Sequence, residues 1–152
     1  RAENVDIPER LQSILSACGL FGRDHNLPVI LPLHPRTKDR LISFGLTIPD
    51  NITILEPLGF LDFLFLEANA KLIFTDSGGI QEEACILKVP CVTVRTTTER
   101  PETVEIGSNI VAGLSIEKIL LAAKEMLQKD RTWKNPLGDG HAAEKIIDQL
   151  VN

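Results

Sequence analysis

The chain carries a short apolar segment that leads through serine and two glycines into a helix, and this junction restricts its fold strongly. Residues 72–74 (LIF) have the length of a buried parallel strand. Ser77, Gly78 and Gly79 follow, and helix-forming residues continue to Leu87. Ser77 is a favourable N-cap, and glycines let a ligand approach the backbone. Because the first N–H groups of a helix have no intrahelical partner, the junction predicts a site for an anion such as phosphate.

Short apolar segments alternate with helical patterns along the whole chain. Strands are predicted at residues 28–33, 51–55, 72–74, 91–94 and 110–112. Helices are predicted over residues 8–18, 37–44, 60–70, 78–87, 115–129 and 140–151. This alternation is typical of a doubly wound α/β domain with a parallel sheet covered on both faces. The helix over residues 60–70 is apolar almost all round, so we expect it to be buried.

Ligands of such sheets bind beyond the carboxyl ends of the strands, which places four predicted loops on one rim. They lie at residues 34–36, 56–59, 76–79 and 95–102. The last loop contains two arginines, three threonines and two glutamates. The two arginines could bind a diphosphate, because each guanidinium group presents paired N–H donors. The composition of this loop is equally consistent with a solvated loop whose glutamates cap a short helix. Composition leaves both interpretations open.

Length, charge and cysteine content restrict the class of protein. The 152 residues suit one domain, and 43% hydrophobic residues are enough for a substantial core. The formal net charge of -5 argues against nucleic acid as the main partner. No apolar run approaches the ~20 residues of a membrane span. Cys18, Cys85 and Cys91 fit no metal-binding spacing, so we expect buried thiols in a cytoplasmic protein without a metal.

The chain begins with a helical pattern, whereas the first helix of a doubly wound domain normally follows a strand. We therefore expect residues 1–152 to be a single domain from a longer protein, cut just after its first strand. That strand would lie in the middle of the sheet.

Four motifs, taken in order, resemble one family. They are TDSGGIQEEA at residues 75–84, TTERPE at residues 97–102, NPLGDG at residues 135–140 and RAEN at residues 1–4. Together they resemble the non-hydrolysing UDP-N-acetylglucosamine 2-epimerases, and the resemblance covers the whole chain. The first two motifs make it specific, since Ser-Gly-Gly alone occurs widely.

The resemblance implies a fold and a reaction. The chain would be the C-terminal, Rossmann-like and nucleotide-binding half of a two-domain GT-B fold. Such enzymes interconvert UDP-GlcNAc and UDP-ManNAc for polysaccharide biosynthesis, by eliminating UDP and adding it back with C2 inverted, and need no cofactor. The partners implied are UDP, a UDP-sugar, the N-terminal domain and, for the full-length enzyme, a second copy. The carboxylates that move the C2 proton belong to the N-terminal domain, so this chain alone is expected to be inactive, with no catalytic residue of its own.

The resemblance also assigns roles residue by residue. Six residues would contact UDP: Ser77, Gly78, Gly79, Glu83, Arg100 and Phe63. The serine and the glycines would hold the diphosphate, Glu83 the ribose hydroxyls and Phe63 the uracil. Arg100 would neutralise charge on the departing UDP. Four more would line the cleft or contact a regulatory sugar nucleotide: His34, Arg1, Thr98 and Glu99.

Two other functions remain open from the sequence. A GT-B glycosyltransferase would also hold a UDP-sugar with a glycine-rich loop, although the Thr-Glu-Arg-Pro-Glu run at residues 98–102 favours the epimerase. A catalytically silent nucleotide-binding module is the non-enzyme alternative.

Overall fold

The computed structural model of the chain describes residues 1–151, in which helices and strands alternate as predicted. The helices are α1 (Ala2–Val5), α2 (Pro8–Asp24), α3 (Pro35–Phe44), α4 (Phe60–Ala68), α5 (Gly78–Ile86), α6 (Pro101–Glu105), α7 (Ile116–Leu127) and α8 (Ala142–Val151). The strands are β1 (Val29–Pro32), β2 (Ile52–Leu55), β3 (Ile73–Thr75), β4 (Cys91–Thr93) and β5 (Asn109–Val111). Each predicted strand is present, and α1 is a short helix that the sequence analysis did not predict.

All strand pairs are parallel, which confirms the predicted α/β class. Within residues 1–151 the strands form two ladders, β1 with β2 and β3 with β4 and β5. α2 joins the two ladders, because its two sides contribute to different clusters of buried side chains. Leu11 and Leu15 pack with Leu33 near the first ladder, whereas Phe21 packs with Val92 of the second. The carboxyl ends of β3 and β4 lead into the loops predicted to bind ligand.

The prediction that α4 is buried is wrong. The side chains of Phe60, Leu61 and Phe65 are 68, 75 and 72% exposed, whereas Glu67 is only 4% exposed. α4 packs against α5, and Glu67 is its buried residue. A helix that is apolar on almost every side has no single apolar face, so its sequence does not indicate which side packs against the core. The sequence therefore does not distinguish burial within this domain from contact with another protein surface.

α8 also exposes apolar side chains. Ile146, Ile147, Leu150 and Val151 are all exposed, and none of the residues of α8 is buried. Its amphipathic pattern is therefore not explained by packing within the described residues.

The three cysteines are free and buried, as predicted. Burial raises the pKa of the Cys18 and Cys91 thiols to about 12, so both stay protonated at neutral pH. Within residues 1–151, no helix combines the length and the apolar composition needed to cross a bilayer. The described part of the chain also brings no three metal-binding His, Cys, Asp or Glu side chains together.

Candidate functional site

A cavity of about 530 Å³ lies where β3 ends and α5 begins. Its lining residues are Arg1, Asp76, Ser77, Gly78, Gly79, Glu99 and Arg100. Six of these belong to the ten site residues predicted from the sequence. Two of the four loops predicted to share a rim, residues 76–79 and 95–102, therefore meet at one cavity, with the serine-glycine junction next to the arginine-containing loop.

The serine-glycine junction has the predicted place at the helix start but not the predicted cap bond. Ser77 is the N-cap of α5, with extended backbone (φ −90°, ψ 132°), and its side chain makes no cap hydrogen bond. Its own N–H donates to Oγ1 of Thr75 over 3.0 Å. The first N–H groups of α5 thus donate no hydrogen bond to Ser77 Oγ and can donate to an anionic ligand at the positive end of the helix dipole.

Two guanidinium groups flank this helix start. A Cβ placed on Gly78 would lie 3.8 Å from Nη2 of Arg1 and 3.8 Å from Cζ of Arg100. Arginine presents planar pairs of donors that match phosphate oxygens. The helix terminus and both side chains together present donors of a kind that suits a phosphate or diphosphate group.

Arg100 is held in place from three sides. Its Nε donates to the carboxylate of Glu82, and its Nη1 donates to the backbone oxygen of Glu99 over 2.9 Å. Its backbone N–H donates to Oγ1 of Thr98 over 3.0 Å. Glu82, on the first turns of α5, therefore orients Arg100.

Glu99 faces the cavity with its charge already paired. Arg95, which is 8% exposed, donates from Nη1 and Nη2 to the two oxygens of Glu99 over 2.6 and 2.9 Å. This bidentate pair lowers the pKa of Glu99 to about 2. Nη2 of Arg1 lies 3.6 Å from Oε1 of the same carboxylate. Glu99 therefore shapes the loop and orients two arginines while it remains ionised.

Behind the cavity, a buried polar network links the two loops, and the sequence analysis missed it. Gln81 is fully buried; its Nε2 donates to the Ser77 carbonyl oxygen over 3.2 Å. Its Oε1 accepts from the hydroxyl of Thr98 and, over 3.1 Å, from Nδ2 of Asn109. Thr98 is thus a link between the loops and does not line the cavity. Gln81 and Asn109 are polar and resemble ordinary surface residues in a single sequence, so no local signal indicates that they are buried.

Besides Thr98, three more predicted site residues lie outside the cavity lining. His34 is the N-cap of α3, where its Nδ1 accepts from the N–H of Arg36 over 3.2 Å, which is a structural role. Glu83 lies farther along α5, beside Glu67 of α4. Phe63 is partly buried on α4, one helical turn before Glu67. Glu83 and Phe63, which were predicted to contact the ribose and the uracil, thus lie on two helices that pack against each other, α5 and α4.

Comparison with known proteins identifies the family. The sequence model of the UDP-N-acetylglucosamine 2-epimerase family matches residues 1–151. The UDP-N-acetylglucosamine 2-epimerase of Methanocaldococcus jannaschii is 53% identical over 155 residues, which cover 99% of this chain and 42% of that protein. The UDP-2,3-diacetamido-2,3-dideoxy-D-glucuronate 2-epimerase of Pseudomonas aeruginosa is 38% identical, with 99% of this chain and 42% of that protein covered.

Solved structures show the same relationship. The crystal structure of the Methanocaldococcus jannaschii enzyme in complex with UDP-GlcNAc and UDP matches with a TM-score of 0.92 at 52% identity, covering 99% of this chain and 43% of that one. The Neisseria meningitidis enzyme bound to UDP-GlcNAc matches with a TM-score of 0.81 at 30% identity, covering 99% and 42%. The chain spans less than half the length of these relatives. It has the fold of the C-terminal half of these GT-B-like proteins, and it belongs to the UDP-N-acetylglucosamine 2-epimerase family.

Proposed function

We propose that the chain is the UDP-binding domain of an epimerase that interconverts UDP-GlcNAc and UDP-ManNAc. The observation that carries this proposal is the pair of guanidinium groups, from Arg1 and Arg100, on either side of Gly78 at the start of α5. Ser77, Gly78 and Gly79 would hold the diphosphate through the N–H groups of the helix start. Glu83 would accept hydrogen bonds from the ribose hydroxyls, and Phe63 would contact the uracil.

In the proposed reaction, this domain stabilises the leaving group. Elimination breaks the bond between C1 of the sugar and the diphosphate oxygen, so negative charge develops on UDP. Arg100 and the start of α5 would stabilise that charge, and UDP would then add back to the glucal with C2 inverted. The C2 proton would be moved by the N-terminal domain. Solvent deuterium at C2 of the product, with the full-length protein, tests this reaction against sugar transfer to an acceptor.

The relatives suggest which part of the substrate this domain recognises. The names of the Methanocaldococcus jannaschii and Pseudomonas aeruginosa relatives specify different sugars, but both substrates contain UDP. Both proteins match this chain over 99% of its length. We therefore assign recognition of UDP to this domain and selection of the sugar to the rest of the full-length protein.

The exposed apolar surfaces support a partner domain. α4 and α8 expose large apolar side chains in a chain that covers less than half of its relatives. Such surfaces usually mark contacts with other protein. We assign them to contacts within the full-length protein, with its N-terminal domain or between the two copies of a homodimer, and we place that protein in the cytoplasm.

A titration of this chain with UDP, followed by amide NMR, tests the nucleotide assignment. We expect saturable shifts at Gly78, Gly79 and the loop of residues 95–102, because both glycines line the cavity together with Glu99 and Arg100 of this loop. Uridine lacks the phosphates and should give much weaker shifts at these amides. Equal shifts with UDP and uridine, or none in a folded sample, would contradict a diphosphate site in this domain.

Substitutions of Gly78 test the close approach of the ligand. We expect Gly78→Val to weaken UDP binding by roughly tenfold, about 1.4 kcal/mol, because its methyl groups would occupy space beside both guanidinium groups. The fold should survive, since an added Cβ meets its nearest atoms at an ordinary 3.8 Å. Gly78→Ala is the matched control and should bind UDP with a smaller loss. If Gly78→Val unfolds at the wild-type temperature and binds UDP equally well, the diphosphate lies elsewhere.

A further inference from the structure

Glu67 is a buried carboxylate in an unusual position. It is 4% exposed, on a helix whose Phe60, Leu61 and Phe65 side chains are exposed. Within the described residues no N–H or hydroxyl group donates to either of its carboxylate oxygens, and no cation pairs with it. Burying an unpaired ionised carboxylate is costly, so such a group tends to keep its proton or to share one.

The neighbour of Glu67 is Glu83 of α5. Burial, followed by the charge of Glu83 and a hydrogen bond between the two side chains, raises the pKa of Glu67 to about 7. Two ionised carboxylates offer only acceptors, so this hydrogen bond requires a proton on one of them. The other titratable group that faces Glu67 is Cys91 on β4, whose thiol remains neutral because its pKa is about 12.

We propose that Glu67 shares a proton with Glu83 and thereby positions the Glu83 carboxylate to accept the ribose hydroxyls of the nucleotide. This inference rests on the proposed role of Glu83. The protonated Glu67 donates to one lone pair of Glu83, and the remaining lone pairs of Glu83 stay available to two hydroxyl donors. Phe63 supports the location, since it lies four residues before Glu67 and such residues share one face of a helix. Glu67 is thus a positioning residue, which acts on the ligand through Glu83.

The proposal predicts how nucleotide binding depends on pH. As the pH rises through about 7, Glu67 loses its proton, the donor to Glu83 disappears and the two carboxylates repel each other. Wild-type affinity for UDP should therefore fall from about pH 6 to about pH 8. Glu67→Gln keeps an N–H donor and cannot ionise, so its affinity should not show this decrease.

The experiment compares UDP dissociation constants of wild-type and Glu67→Gln chains over this pH range. The phosphate of UDP titrates in the same range, but this effect is common to both proteins and cancels in their ratio. We expect the wild type and Glu67→Gln to have similar affinities for UDP near pH 6. Near pH 8, where about a tenth of Glu67 stays protonated in the wild type, Glu67→Gln should bind UDP up to about tenfold more tightly than the wild type. Glu125→Gln, an exposed glutamate on α7, is the matched control and should give a ratio of one throughout. A Glu67→Gln ratio that is independent of pH would overturn the proposal.

A second measurement separates this proposal from the proposed function. The side-chain carboxyl ¹³C resonances of the glutamates report protonation without ligand. One resonance should titrate near pH 7 in the wild type and be missing in Glu67→Gln. If no glutamate titrates above about pH 6, the shared proton does not exist. If the resonance titrates as expected but UDP binds at no pH, the shared proton is retained, and both the proposed function and the role of Glu67 in it are wrong.

Discussion

Replacing Gln81 with leucine is expected to lower the free energy of unfolding by about 2 to 4 kcal/mol. Leucine has nearly the same volume, so the loss comes from the hydrogen bonds and not from a cavity. The Thr98 hydroxyl loses its acceptor, and Nδ2 of Asn109 loses one of its two partners. Each buried polar group left unpaired costs about 1 to 3 kcal/mol. The Ser77 carbonyl oxygen keeps its bond from the backbone N–H of Gln81, which limits the total.

Urea unfolding measures this loss, with Gln128→Leu as the matched control. Gln128 is exposed at the end of α7, so its replacement should change stability by less than about 0.5 kcal/mol. Gln81→Leu should also weaken UDP binding, because the network connects the Ser77 carbonyl to the loop that carries Arg100. An equal and small change in both variants would show that the buried network contributes little to stability.

The sequence predicts the elements of this fold because the physics of strands and helices is local. The length and apolar composition of residues 72–74 predict a strand. The conformational preferences of serine and glycine predict a helix start at the serine-glycine junction. Both predictions are confirmed, with β3 at Ile73–Thr75 and α5 beginning at Gly78. The rim follows from one topological rule, that ligands of parallel sheets bind beyond the strand ends.

Interactions between distant segments were not predictable from one sequence. Gln81 and Asn109 are 28 residues apart, and nothing in their local patterns indicates that their side chains meet. Glu67 is a charged residue on an apolar helix, so its sequence position suggests the solvent-facing side. In the structure Glu67 is buried against the domain, whereas Phe60 and Phe65 are exposed. Whether a polar residue lies outside or in a paired interior position depends on tertiary contacts, which periodicity does not encode.

Replacing Arg100 with alanine is expected to weaken UDP binding by about 1.5 to 3 kcal/mol, or roughly tenfold to 150-fold. The guanidinium group lies beside Gly78, where it can donate to a diphosphate in the cavity. It is already oriented by Glu82 and by the Glu99 carbonyl oxygen, so little conformational entropy is lost on binding. Isothermal titration calorimetry of the two chains measures the difference, which should shrink at high salt because the side chain is 35% exposed.

Three controls decide whether the loss comes from a phosphate contact. Lys124→Ala removes the same charge from an exposed position on α7, outside the cavity lining, and should leave UDP affinity nearly unchanged. Arg100→Lys keeps the charge without the fork of donors, so its affinity should lie between those of the wild type and the alanine variant. Uridine completes the test, because it carries no phosphate for Arg100 to contact. If Arg100→Ala weakens UDP and uridine equally, the substitution disturbs the loop of residues 95–102, and Arg100 makes no direct contact with the diphosphate.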